Sequence, residues 1–264
     1  MRVRAATIVA LAAAVSLGGA ATAQGQNRGG GAPPPTPRAS APIDLTGYWV
    51  AFVSEDWRFR MVTPLKGDYN RVPLTPEGRK VADTWNPAAD ASAGNQCKGF
   101  GAGAIMRVPG RLHVTWQDDA TLRLDTDAGM QTRMFRFAPA AGPADAPSWQ
   151  GQSTARWERA AVPRRGDQDL LGTGPRAAGG GALTVVTTNL RAGYLRWNGV
   201  PYSENTTVTE SFDVAPHPTG GQLLIVTTVV EDPRYLQRPY VVSSQFKKEA
   251  DASRWDPTPC TSTW

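Results

Sequence analysis

Glu210 stands in Val208-Thr209-Glu210-Ser211-Phe212-Asp213-Val214, a run that is apolar at nearly every second position. Residues two apart on a strand share a face, so the carboxylate shares its face with Val208, Phe212 and Val214. Arg133 is the matching exception, two and four residues ahead of Phe135 and Phe137. A buried charge without a partner is expensive, and the sequence therefore predicts that Arg133 and Glu210 meet inside a sheet or barrel. Two chemistries follow from such a pair. It would be the polar anchor of a pocket walled by Phe135, Phe137, Phe212 and Trp116, suited to a small, mostly apolar or amphipathic molecule. Alternatively, Glu210 would act as general acid or base with Arg133 steadying an anion, leaving hydrolase, lyase and isomerase chemistry open. A purely structural ion pair is the plain alternative to both.

The remaining candidates are weaker. His113 shares a face with Arg111, Thr115 and Gln117 and reads as a solvated strand residue, a catalytic base only if something distant orients it. His217 falls in a loop. Arg156 and Glu158 form an expected exposed network, with Trp157 turned to the core. Gly151-Gln152-Ser153-Thr154-Ala155 approximates a hydrolase elbow but sits in a strand of a meander rather than a strand-to-helix turn. Gly99-Phe100-Gly101-Ala102-Gly103 has no strand before it and no clear helix after it, so no dinucleotide is implied. Asp118-Asp119 and Asp125/Asp127 lack calcium-loop spacing. Nothing calls for a metal or a cofactor. Cys97 and Cys260 are the only cysteines, and a disulfide between them is expected in an oxidising compartment.

The elements that must carry these groups are mostly strands. Leu112, Val114 and Trp116 alternate with polar residues, as do Leu122 and Leu124. Trp57, Phe59 and Met61 do the same against Arg58 and Arg60. Further strands are expected at 46–53, 131–137, 153–159, 183–190, 206–214, 222–231 and 239–247, most of them rich in Val, Thr and aromatic residues. Turn residues at Pro109-Gly110, Gln117–Ala120, Asp127–Gly129 and Pro218–Gly221 join neighbours too closely for parallel crossovers. The predicted fold is a mostly β, single-domain antiparallel meander, a closed or partly closed lipocalin-like barrel with a sandwich as the alternative. One short helix is predicted near 75–86: Thr75 caps it, Pro76 opens it and Pro87 stops it. Residues 86–104 and 160–182 read as irregular.

The chain's start changes the reading of its charge. Arg2 and Arg4, the apolar run Ala5–Leu17 and Ala21-Thr22-Ala23 predict a signal peptide over 1–23 and a periplasmic or secreted protein. Residues 24–42, with Gly29-Gly30-Gly31 and Pro33-Pro34-Pro35, predict a disordered tether ahead of the domain at 43–264. Of the 28 basic residues in 264, four lie before residue 43, so the remaining 24 face 23 acids, a net of +1. A nucleic-acid binder would concentrate bases on the folded part, so nucleic acid is discarded as a partner. No later stretch is a candidate transmembrane segment. A structural or interaction protein of the cell envelope is the remaining reading, and the oligomeric state is not legible.

Gly47-Tyr48-Trp49, opening the first strand, resembles the G-x-W signature of the lipocalins. That resemblance implies a Trp closing the barrel floor beneath an Arg, and a small apolar ligand inside. Asp44–Trp49, Arg156-Trp157-Glu158, Val185–Asn189, Thr209–Phe212, Glu231-Asp232-Pro233 and Arg238-Pro239-Tyr240 are similar to a large set of uncharacterised secreted bacterial proteins. That likeness implies one domain and carries no activity with it.

Overall fold

Alternating strands with one oily face must cover that face, and here they do so by rolling the sheet shut. The computed structural model describes residues 34–138, 146–159 and 180–263. The segments expected as signal peptide and most of the tether (1–33), and most of the 160–182 loop, lie outside them. Nine strands form a closed barrel: β1 (Gly47–Phe52), β2 (Arg111–Asp118), β3 (Thr121–Thr126), β4 (Thr132–Arg136), β5 (Gln152–Arg159), β6 (Gly181–Thr188), β9 (Thr207–Pro216), β10 (Gln222–Glu231) and β11 (Tyr240–Glu249). β1 pairs with both β2 and β11, which closes the ring and leaves no edge strand. A separate hairpin, β7 (Gly193–Arg196) with β8 (Val200–Tyr202), is inserted between β6 and β9.

The barrel is mixed rather than the antiparallel meander the turns suggested. Eight junctions are antiparallel, but β4 and β5 run parallel and share only the pairs Phe135↔Ser153 and Arg136↔Thr154. Residues 137–151 separate the two strands, a length that permits a parallel pair.

Three further expectations are corrected. Trp57–Arg60 is a short helix, α1, and not a strand. Trp57 and Met61 are 66% and 52% exposed while Phe59 and Arg60 are buried, so the alternation there marks no sheet face. The helix at Thr75 exists as α2 (Pro76–Asp83), with the Thr75 hydroxyl accepting from the Gly78 amide. A further helix, α3 (Pro87–Ser92), capped by Asn86, and a single-turn helix at Gln96–Phe100 occupy the stretch expected to be irregular. Pro109-Gly110 leads from another short turn, Ile105–Arg107, into β2 and joins no hairpin. The turns at 118–121, 127–131 and 217–221 fall between paired strands as expected.

Two apolar clusters fill the unit Pro35–Trp264. The first lies inside the barrel and includes Trp49, Leu122, Leu124, Phe135, Leu183, Phe212, Leu224 and Phe246. The second gathers Tyr69, Leu74, Ala82, Leu195, Val200, Tyr202, Val208 and Tyr240 where α2 and the β7–β8 hairpin close one end. That end demands close approach: a Cβ on Gly101 or Gly193 would lie 2.1 or 2.6 Å from the Tyr202 hydroxyl. Cys97 and Cys260 form the expected disulfide, bridging a sequence separation of 163. Among the described residues no helix is long and apolar enough to cross a membrane.

Candidate functional site

β4 and β9 each turn one charge inward, and the two charges meet. Arg133 Nη1 donates to Glu210 Oε1 at 3.0 Å and Nη2 to Oε2 at 2.5 Å, a two-pronged contact. Nη2 also donates to Thr187 Oγ1 on β6 at 3.2 Å, and Thr187 shares a hydrogen bond of 2.8 Å with Ser153 on β5. The guanidinium lies 4.9 Å from the Phe135 ring centre. Arg133 and Glu210 are 1% and 0% exposed. The pairing read from strand parity is therefore realised, as a cluster spanning four strands.

Its surroundings decide what it can do. A void large enough for water would leave accessible area on the side chains around it, yet Phe135, Phe212, Leu124, Val185, Val208 and Val226 show 1% or less. Among the described residues the pair sits in packed protein, and Glu210 has no accessible surface. That geometry fits a structural ion pair.

Of the six positions expected to line a pocket, Arg133, Phe135, Glu210 and Phe212 are sealed, while Trp116 and Phe137 are partly open. Trp116 near the end of β2, Phe137 just past β4 and Trp157 near the end of β5 gather at one barrel mouth. Their ring centres are 5.8 Å (116–137), 5.3 Å (137–157) and 6.4 Å (116–157) apart, which is the range of favourable aromatic contacts. Ile43 and Val214, like the three rings, are partly buried and pack against the barrel core.

Residues 35–46 lie against this mouth. Trp157 Nε1 donates to the Pro37 carbonyl at 2.8 Å, Arg159 to that of Ser40 at 3.1 Å, and the Arg38 amide to that of Asp119 at 3.1 Å. The last residues of the stretch assigned to a tether by composition thus hold hydrogen bonds to the barrel. Between this segment and Trp116 lies an open cleft of about 390 Å³, lined by Arg38, Ala41, Pro42, Ile43, Asp44, Thr46 and Trp116.

Trp49, from the G-x-W motif, is fully buried and its indole donates to the Leu45 carbonyl at 2.9 Å. The cation over its ring is Lys248, with Nζ 4.2 Å from the ring centre, and the same ammonium donates to the Thr46 carbonyl. Burial pulls the Lys248 pKa below its ordinary value, against the charge of Asp44.

His113 stacks on Tyr48 with ring centres 4.1 Å apart and Trp255 edge-on at 6.0 Å, a packing role outside the barrel. His217 contacts Thr219 in the β9–β10 turn. Arg156 donates twice to Glu158 on the exposed face of β5, where Thr184 adds a third bond and the carboxyl is held below its usual range. Ser153 is buried within the Arg133 cluster, not raised on an elbow.

A second polar centre, at the other end of the barrel, was not legible from the sequence. Arg60, Arg107 and Arg196 are all buried there; the alternation at 57–61 puts Arg60 on the wet face, and Arg107 and Arg196 stand in segments without period-two patterning. Their charge and length favour the surface, and only tertiary packing turns them inward. Arg196 donates to the Asn70 carbonyl at 2.7 Å and lies 4.1 Å from the Phe59 ring centre.

Compared with protein-family models, with curated proteins and with solved structures, the chain gives no match.

Proposed function

We propose that this is an exported binding protein that takes a small apolar or amphipathic molecule at the aromatic mouth of its barrel, beneath the segment 35–46. The observation that carries the reading is the trio Trp116, Phe137 and Trp157, left partly open beside the 390 Å³ cleft while the interior behind it is filled. Partly exposed aromatic rings beside a concavity offer apolar contact area, and Arg38 and Asp44 at the rim would orient a polar end. The apolar run near the chain's start and the domain-spanning disulfide support an oxidising, exported setting. The sealed state of Glu210 favours binding over catalysis.

A neutral dye, N-phenylnaphthylamine, tests the reading because it has no charge to seek elsewhere. Its fluorescence should rise on mixing with the protein, and decanol should displace it. Trp116→Ala should weaken binding by roughly tenfold, the effect of losing part of one aromatic contact surface. Absence of binding, or equal binding by Trp116→Ala and Phe137→Ala, would remove the mouth as the site.

A further inference from the structure

Beside β10 and β11, at the opposite end from the aromatic mouth, a cleft of about 280 Å³ is lined by Glu55, Asp56, Arg71, Arg107, Thr227, Val241, Val242 and Ser243. Its cations and anions do not balance. Asp56 is fully engaged: Oδ1 accepts from Arg71 Nη1 at 2.5 Å and Oδ2 from Arg107 Nη2 at 3.2 Å. Arg107 is 6% exposed, yet its Nη1 makes no hydrogen bond among the described residues. Behind it Arg60, whose side chain is fully buried, donates from Nε to the Arg107 carbonyl at 2.9 Å, while Nη1 and Nη2 make no hydrogen bond among the described residues.

The one other carboxylate lining the cleft is Glu55. Its Oε1 is 3.7 Å from Arg60 Nη1, too far for a hydrogen bond. Burial raises the Glu55 pKa, against the pull of Arg60 and Arg107, and burial lowers that of Arg60 to about 10. Three guanidiniums thus face two carboxylates, and three buried guanidinium nitrogens keep donors unused. Leaving such donors unmet costs free energy, part of which an acceptor-rich group would recover by meeting Arg107, the one of the two buried arginines that lines the cleft. Asp56 and Arg71 also hold positive φ values of 49° and 70°, a backbone state that non-glycine residues enter at a cost.

We propose that this cleft binds the oxyanion group of a small molecule, a carboxylate or a phosphate, held by Arg107 with Arg71 at the rim and Arg60 reinforcing the field from behind. A planar guanidinium fork matches the paired oxygens of either group. The hydroxyls of Thr227 and Ser243 line the opposite wall and supply further donors. Glu55 is the side chain that must swing aside or take up a proton as the anion enters.

The test titrates the full chain with inorganic phosphate and, separately, with succinate by calorimetry, at constant ionic strength with sodium chloride as the control. At least one of the two should bind with one-to-one stoichiometry, and the one that binds identifies the group. Arg107→Gln should weaken that binding by about tenfold or more, because it removes a buried charged donor. Arg71→Ala should weaken it by about two- to fivefold, the smaller effect of a rim charge. Arg71 has an exposed side chain, so its variant carries the test if Arg107→Gln does not fold. Failure of both anions to bind at tens of millimolar, or unchanged binding in both variants, would overturn the proposal. The neutral dye at the mouth should be unaffected by either substitution.

Discussion

Glu210→Ala should lower the stability of the domain by about 3–5 kcal/mol, because it strands a fully buried guanidinium in a packed interior. The Ala variant removes both acceptors of Arg133 that carry charge and leaves only the Thr187 hydroxyl. Replacing both members together, as in Arg133→Met with Glu210→Leu, should cost far less and is expected within about 1–2 kcal/mol of the parent, since no lone charge remains. The measurement is urea denaturation followed by circular dichroism, with the midpoint compared at constant slope. A single variant as stable as the parent would mean that water or another group reaches Arg133. The same experiment bears on function: loss of folding without a separate effect on ligand binding is the signature of a structural pair.

Removing the disulfide should have an effect of similar size. A covalent link across 163 residues restricts the unfolded chain by about 5 kcal/mol in the loop-entropy model, an upper value if the unfolded chain is compact. Cys97→Ala with Cys260→Ala, or a mild reductant, should therefore lower the thermal midpoint markedly. The first structure lost should be the chain end. Thr258 pairs with the β3–β4 turn, through Thr258 N to the Asp127 carbonyl and Gly129 N to the Thr258 carbonyl, both at 2.9 Å. Asp127 in turn accepts from the amides of Arg111 and Ala128. Protease cleavage after Arg254 that quickens on reduction would report this release, and a midpoint insensitive to reductant would show that these hydrogen bonds suffice.

Period two carried most of the fold. Wherever a strand is oily on one side and wet on the other, as in Leu122-Arg123-Leu124-Asp125, alternation fixes both the element and the direction of each side chain. That is why Arg133 and Glu210, isolated charges on otherwise apolar faces, could be matched from 77 residues apart. The signal fails where its premise fails. β7 and β8 are mostly buried on both faces, so Gly193–Arg196 and Val200–Tyr202 show no alternation to read. Trp57, Phe59 and Met61 show alternation in a helix of four residues, too short for its own period to register. The inward arginines at 60, 107 and 196 were illegible for a related reason. Arg107 and Arg196 lie in or beside irregular segments, where no pattern states which way a side chain points, and at Arg60 the alternation pointed the wrong way.

The site itself was half legible. Parity identified the polar pair and the aromatic positions, but whether the space between them is open depends on how nine inner faces interdigitate. Trp116, Phe137 and Trp157 escape burial because they stand at strand ends, beyond the last full layer of the core. The parallel joint between β4 and β5 also lay beyond local reasoning, since no turn residue records a chain returning to its starting end.

That joint gives the ring a clasp. Running from β5 through β6, β9, β10, β11, β1, β2 and β3 to β4, every neighbour is antiparallel, so the barrel is one continuous ribbon whose two ends meet at a joint of only two residue pairs. Arg133 belongs to one end of that ribbon, and its guanidinium reaches past the joint to Thr187 and Glu210 on strands of the other end. The charge that looked out of place among oily residues is a pin through the buckle, adding a charged, hydrogen-bonded link across the ring's narrowest seam.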